Sequence, residues 1–325
     1  MSWLVTGGAG YIGSHVAQSM LDAGSPVVVI DDLSSGFEHF VPDAAKFVRG
    51  TLLDEALVED TLRRHDVRGV IHIAGYKYAG ESVKRPLHTY EQNVSAMVTL
   101  LKAMADTGVD KIVFSSSAAT FGTPAVEVVD ETTSTTPESP YGETKLIGEW
   151  LLRDIGRATG LRHTSLRYFN VVGSGSDRLF DASPHNLFPR VFDMLIRGES
   201  PRINGDDYPT PDGTCVRDYI HVADLALAHV AAARRLDDGL PVEPVYNLGS
   251  GAGTSVRQIM TAMRTLTGVD FEPEVTPRRP GDPARIVTTA ELAERDLDWQ
   301  MRHSLDDMVA SAWTARQLAG DSYPR

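Results

Sequence analysis

The sequence predicts an α/β protein built on a doubly wound parallel sheet, with a smaller mixed α/β lobe after it. Three observations carry this expectation. A glycine-rich turn, Gly7-Gly8-Ala9-Gly10-Tyr11-Ile12-Gly13, joins a short apolar strand to an apolar helix. Short β-branched runs then alternate with helix-length segments as far as Tyr168. After Asn170 the alternation gives way to Gly, Ser and Asp-rich loops between scattered elements. The 325 residues, 42% of them hydrophobic, are enough for one large two-part unit with a sizeable core.

Taken in order, Leu4-Val5 reads as a buried strand, and the helix after the glycines runs to about Ala23. Spaced as GxxGxxG, Gly7, Gly10 and Gly13 let the chain turn sharply, let a pyrophosphate approach backbone N–H groups, and let helix pack on strand. Val27-Val28-Val29-Ile30 is a second strand that ends in Asp31-Asp32. A carboxylate there, about 20 residues after the glycines, suits ribose hydroxyls and repels a 2′-phosphate, which favours NAD over NADP. Phe47-Val48 reads as a third strand, residues 54–65 as a helix, 69–74 as a fourth strand and 86–107 as one long helix. Lys111-Ile112-Val113-Phe114 is a fifth strand running into Ser115-Ser116-Ser117. Residues 140–159 form a helix stopped by Gly160, and 164–168 a sixth strand. Repeated βα units of this length imply right-handed crossovers with helices on both faces. Beyond Asn170, helices are expected near 187–197, 224–235, 255–266 and 304–318, with strands near 245–248 and 271–275. The expected division is a Rossmann-like dinucleotide domain over residues 1–170, completed from about 215–248, and a second lobe over 171–325.

Charge and cysteine content narrow the function classes. The formal charge of −13 opposes non-specific binding to nucleic acid or anionic membrane, and no Lys/Arg run overrides it. The lone Cys215 rules out an internal disulfide framework and a Cys-based zinc site, and no metal site is read from the sequence. No apolar stretch approaches the roughly 20 residues needed to span a bilayer. The first apolar run lacks a basic leader, so the expected location is the cytoplasm.

The chemistry is concentrated in Ser139-Pro140-Tyr141-Gly142-Glu143-Thr144-Lys145. Pro140 suits the first helical position with Ser139 as N-cap, so Tyr141 and Lys145, four residues apart, share a helix face. An ammonium roughly 5 Å from a phenolate, at an effective dielectric near 20, favours ionisation by about 3 kcal/mol, or about two pKa units. Such a tyrosine acts as a base near neutral pH; alone, the same residues also read as an ordinary surface helix start. In a doubly wound sheet, ligands bind beyond the carboxyl ends of the strands. Four polar clusters fall there: the glycine turn, Lys77, Ser115-Ser116-Ser117, and Asn170. Ser117 is placed to hydrogen-bond a substrate hydroxyl that Tyr141 deprotonates.

Along nearly its whole length the chain resembles the extended short-chain dehydrogenase/reductases, and within them the UDP-galactose 4-epimerase family. The likeness rests on the glycine turn with Val5-Thr6 before it and Ser14-His15 after it, Gly80-Glu81-Ser82, Ser115-Ser116-Ser117-Ala118, Pro140-Tyr141-Gly142 with Lys145, and Arg167-Tyr168-Phe169-Asn170. It rests also on Asn186-Leu187 and Asp206-Asp207-Tyr208-Pro209-Thr210; more specific are Asp212-Gly213-Thr214, Val216-Arg217-Asp218-Tyr219-Ile220-His221, Tyr246-Asn247-Leu248-Gly249, and Pro277-Arg278-Arg279 with Gly281-Asp282. The resemblance implies a tightly held NAD+ that is reduced and reoxidised within each turnover of a UDP-sugar, through a 4-keto sugar that swings about its diphosphate link. It implies Ser117, Tyr141 and Lys145 as catalytic residues. It implies NAD contacts from Gly7, Gly10, Tyr11, Ile12, Gly13, Asp31, Asp32, Lys77, Asn93, Ser115 and Tyr168 besides Tyr141 and Lys145. For the substrate it implies Arg217 and Arg279 on the diphosphate, Asp282 on the uridine ribose, Asn170 at the phosphates, and Asn186 and Leu187 beside the nucleotide. Arg202, Asn204 and Ile286 join that set, and a homodimer through residues 86–107 and 140–159 is expected.

Some positions depart from the family pattern. Gly50-Thr51 stands where the family has an Asp at the adenine edge, and Phe121 replaces a Tyr near the serine. Ile286 stands where the family varies between Tyr and a small residue, so it is expected to leave room at C2 for N-acetylated sugars. Arg190 and Arg285 add cations near the expected sugar pocket. Three other readings stay open: a nucleotide-sugar 4,6-dehydratase, although Ala118-Ala119 after Ser117 supplies no acid; a non-catalytic NAD-sensing protein; and a dehydrogenase that releases NADH.

Overall fold

The protein is described from a computed structural model covering residues 1–279 and 283–320. Seven parallel strands form the main sheet. In spatial order they are Val245–Leu248, Arg162–Tyr168, Lys111–Ser115, Val67–His72, Ser2–Thr6, Val27–Asp31 and Lys46–Arg49. Strand order reverses at Ser2–Thr6, and the crevice opened there lies above the Tyr11–Asp22 helix that follows the glycines. The strands are rich in Val and Ile because helices cover both faces of the sheet. One core packs Trp3, Val5, Val29 and Ile71 against the Val222–Asp237 helix; the other packs Leu4, Val28 and Ile112 against Leu100 and Met104 of the Ala96–Thr107 helix.

The Tyr141 helix spans Pro140–Thr159, with the Ser139 hydroxyl accepting from the Gly142 amide and Gly160 in the left-handed conformation after it. The helix at 54–65 is Glu55–Arg64, N-capped by Asp54 through the Leu57 amide.

Three expectations need correction. The fourth strand ends at His72 rather than Ala74, because the Thr6 hydroxyl takes the amides of Ile73 and Ala74 and turns the chain off the sheet. The helix expected over 86–107 is broken into Pro86–Tyr90, a π-turn over Glu91–Ser95, and Ala96–Thr107. The π-turn places Asn93 where its amide bonds both the N–H and the carbonyl of Tyr76, a contact an unbroken helical periodicity gives no sign of. The strand expected at 271–275 lies at Glu274–Thr276, paired in parallel with Arg202–Asn204. Sequence reading also passes over the Arg285–Thr288 strand and the Glu291–Leu297 helix, each too short to show a period.

The smaller lobe packs the Leu187–Ile196, Val256–Thr267 and Leu305–Ala319 helices around Phe192, Ile259, Met263 and Val309. No described helix is long and apolar enough to cross a membrane.

Candidate active site

A cleft of about 1260 Å³ runs from the glycine turn, past Ser117 and Tyr141, to the lobe residues Arg217 and Arg279. At its first end the backbone is crowded. A Cβ on Gly13 would sit 2.0 Å from the Gly7 carbonyl oxygen, and Gly7 itself holds φ +71°. Only glycine keeps this path, and the first turn of the Tyr11–Asp22 helix, which has no side-chain cap, lines the cleft. Asp31 closes the far side: its carboxylate accepts from the Ala9 amide at 3.0 Å and the Leu33 amide at 2.8 Å. Burial raises its pKa above the usual carboxylate value. Asp31 lines the cleft together with Asp32, Gly50 and Thr51. Tyr11 donates to the Gly173 carbonyl at 2.6 Å, and His15 bonds the Tyr11 carbonyl and the Gly175 amide, tying the turn to the lobe.

The reactive groups come from three segments. Ser117 follows the Lys111–Ser115 strand and caps the Ala118–Phe121 turn by accepting from the Ala119 amide at 3.1 Å. Tyr141 and Lys145 share one face of the Pro140–Thr159 helix, with Nζ 5.8 Å from the phenol ring centre. Tyr168 ends the Arg162–Tyr168 strand, Phe169 and Asn170 follow it, and all three line the same cleft. Lys145 is nearly buried, donates to the Ser115 carbonyl at 2.8 Å and lies over the Phe114 ring. Burial pulls its pKa down to about 8.

The expectation that the ammonium alone lowers the Tyr141 pKa does not hold. Burial is the larger effect and raises it above 10, with the Ser117 hydrogen bond acting in the opposite direction. The ring lies beside Tyr168, where taking a phenolate out of water costs more than the Ser117 hydrogen bond returns.

The other expected residues divide by position. Lys77, Asn186, Leu187, Arg190, Arg202, Asn204, Arg217 and Arg279 line the cleft. With the Asn204 amide donating to the Thr276 hydroxyl, its oxygen accepts from Arg279 at 3.2 and 3.3 Å. Arg202 pairs with Glu274, and Asn170 donates to the Asp218 carbonyl at 3.0 Å. Asp218 forms no surface ion pair with Arg217; it is buried and accepts from the Ser250, Gly251 and Thr288 amides. Against these cations, the carboxylates among the described cleft residues are Asp31 and Asp32, at the opposite end.

Four residues lie elsewhere. Asn93 stands behind Gly75 and Tyr76, its amide taken by Tyr76 and the Thr144 hydroxyl, so it shapes the loop bearing Lys77. The Ser115 hydroxyl bonds His229 Nε2 at 2.8 Å, and Ser115 does not line the cleft. Ile286 is buried with Phe121 and Val129 behind Phe169, so it bears on the cleft only through that ring. Arg285 bonds the Ala252 carbonyl instead of lining the cleft. Asp282 lies outside the described residues. Sequence reading missed Glu149, a buried carboxylate beneath Lys145, although its spacing of eight from Tyr141 puts it on the same helix face.

Comparison with known proteins agrees with this geometry. The NAD dependent epimerase/dehydratase family matches residues 3–249. The chain is 41% identical over 318 residues to a UDP-glucose 4-epimerase of Lactobacillus helveticus, covering 96% of both. A crystal structure of a UDP-glucose 4-epimerase superposes with a TM-score of 0.96 at 40% identity over the full length of both chains. The Bifidobacterium longum UDP-glucose 4-epimerase in complex with NAD+ and UDP gives 0.90 at 38% identity, covering 99% of this chain and all of that one. The chain therefore belongs to the NAD dependent epimerase/dehydratase family and, within it, to the UDP-glucose 4-epimerases.

Proposed function

We propose that this protein interconverts UDP-glucose and UDP-galactose by NAD-dependent 4-epimerisation. The observation that carries the reading is the placement of Ser117, Tyr141 and Lys145 between a dinucleotide turn and a cationic lobe wall in one cleft. The crowded Gly7–Gly13 contact and the fixed Asp31 carboxylate fit NAD, whose pyrophosphate needs close backbone approach and whose adenosine ribose needs a hydrogen-bond acceptor. When bound, NAD supplies the hydride acceptor and donor at C4 of the sugar. Tyr141 takes the C4-hydroxyl proton, Ser117 hydrogen-bonds that hydroxyl, and Lys145 stabilises the phenolate. Arg217 and Arg279 hold the diphosphate while the 4-keto sugar turns its other face, and Tyr141 returns the proton.

In this reading residues 1–170, with 215–248, serve NAD, and residues 171–325 serve the sugar nucleotide. The protein works as a cytoplasmic homodimer. Support for the dimer comes from Val83, Leu87 and Trp150, large apolar side chains left exposed on the Ala79–Lys84, Pro86–Tyr90 and Pro140–Thr159 helices. Sedimentation at micromolar protein tests it. A 4,6-dehydratase needs an acid beside Ser117, and the described cleft carboxylates are Asp31 and Asp32 alone.

The deciding experiment is incubation with NAD+ and UDP-glucose, UDP-galactose, their N-acetylamino forms or UDP-glucuronate, followed by NMR of the products. C4 inversion of UDP-galactose supports the proposal. Bound NAD without sugar turnover points to a sensor, a 4-keto-6-deoxy product to a dehydratase, and accumulating NADH to a dehydrogenase.

A further inference from the structure

The site depends on groups from three separate segments, and one buried carboxylate touches the base of all three. Glu149 lies one helical turn beyond Lys145 and two beyond Tyr141, only 7% exposed. Its Oε1 accepts from the Ser116 hydroxyl at 2.5 Å and from Arg167 Nε at 2.8 Å, and its Oε2 accepts from Arg167 Nη2 at 2.6 Å. Ser116 immediately precedes Ser117. Arg167 immediately precedes Tyr168, and its guanidinium stacks 5.0 Å from the centre of the Phe121 ring. The Ser116 amide in turn donates to the Leu166 carbonyl at 2.9 Å, so the serine strand is held from the helix on one side and from the neighbouring strand on the other.

Stability alone does not account for this arrangement. A buried ion pair is commonly no more stabilising than apolar residues of the same volume, because both charges must leave water. This one is also incompletely satisfied: Arg167 Nη1 is buried without an acceptor among the described residues. What a bidentate guanidinium–carboxylate fork provides is fixed orientation. Apolar packing tolerates small slides of helix against strand, whereas these three bonds do not.

We propose that Glu149, acting through Arg167 and Ser116, is a positioning residue that sets the Ser117–Tyr141 spacing on which proton transfer at the sugar hydroxyl depends. This rests on the epimerase reading. Glu149 itself touches neither substrate nor cofactor; its effect passes through the segments it joins.

The test is a double-mutant cycle. Ser116→Ala removes one bond and leaves the ion pair whole; Glu149→Gln weakens the fork; each is made alone and with Ser117→Ala. Ser116→Ala should keep its NAD content and melting temperature, hold KM for UDP-galactose within about twofold, and lose kcat about tenfold. Glu149→Gln should lose about a hundredfold, the scale of a misplaced reacting group. In the Ser117→Ala background both losses should shrink to less than about twofold, since the spacing no longer matters. Wild-type kcat in Ser116→Ala, or losses that multiply fully with Ser117→Ala, overturns the proposal. A second readout needs no epimerase activity: Tyr141, followed by tyrosinate absorbance against a Tyr141→Phe reference, should ionise at higher pH in Ser116→Ala because its Ser117 hydrogen bond is strained. An unchanged Tyr141 titration in both single variants refutes the positioning role, whereas a shifted titration in a protein that epimerises no UDP-sugar leaves that role standing and removes the functional reading.

Discussion

Lys145 lies 5.8 Å from the centre of the Tyr141 ring and directs its ammonium at the Ser115 carbonyl, 2.8 Å away. The contact fixes the lysine at the end of the Lys111–Ser115 strand, one residue from the segment bearing Ser117. It also creates an opposition. Burial raises the phenol and lowers the ammonium, to about 8, so each group resists the charge that the reaction asks of it. The lysine charge is thus needed to offset part of the burial penalty on the phenolate.

Lys145→Met should therefore lower kcat/KM at least about tenfold at neutral pH, because the buried phenolate loses its neighbouring charge. The wild-type protein loses the ammonium as pH rises through about 8, which gives its profile an alkaline limb there. The variant should lack that limb. A pH series with UDP-galactose from 6 to 10 checks both; undiminished kcat/KM at neutral pH would show that the lysine charge does not govern Tyr141.

Tyr141→Phe removes the base while the ring stays packed beside Lys145. Turnover should fall by roughly 10²–10⁴, the usual contribution of a positioned acid–base group. NAD content and KM should stay near wild type. Steady-state kinetics alongside cofactor extraction measures these together, and near-normal turnover would move the chemistry to another residue.

Gly13→Ala places a methyl group 2.0 Å from the Gly7 carbonyl oxygen and 2.8 Å from Gly8 Cα, both backbone atoms that have little freedom to yield. The turn must open. Stability should drop by about 1–3 kcal/mol, as for overpacked sites, and NAD affinity should fall at least about tenfold. Calorimetric titration with NAD and thermal melts provide the comparison, with Gly80→Ala as a control because a Cβ there meets nothing within 4 Å and its backbone is not left-handed.

Acid should unfold the protein through its buried histidines. His15 and His229 are held to about 4 and His72 to about 3, all by burial. The bonds fix neutral tautomers: His229 donates from Nδ1 to the Leu225 carbonyl and accepts the Ser115 hydroxyl at Nε2. These folded-state values lie below the unfolded 6.5, so the unfolded chain takes up protons first as pH falls. Stability from these groups is full above about pH 6.5 and is lost progressively down to about pH 3, at roughly 3 kcal/mol for each fully buried histidine. Melting temperature against pH should fall steeply in that window, and His229→Gln should flatten the fall.

Much of the architecture was legible because it rests on local rules. The GxxGxxG turn, the Val27–Asp31 strand ending in a carboxylate, and the capped Pro140–Thr159 helix each announce themselves within a few residues. The Arg285–Thr288 strand and the π-turn at Glu91–Ser95 do not, since a four-residue strand has no period and a π-turn adds one residue to an otherwise helical pattern. Ile286 shows the same limit at the site. Its residue type suggested an open pocket, yet its neighbours Phe121 and Val129 come from sequence more than 150 residues earlier and bury it.

Backbone sterics, hydrophobic period and helical spacing are enough to set the dinucleotide turn, the doubly wound arrangement, and Tyr141 with Lys145 on one helix face. The direction in which the Tyr141 pKa moves, the place of Ser115, Asn93 and Ile286 behind the cleft wall, and the ion pair of Glu149 with Arg167 that joins its segments come from packing across the chain. Those outcomes depend on burial and on partners far away in the chain. Desolvation is a property of the packed surroundings, and no single stretch of sequence contains it.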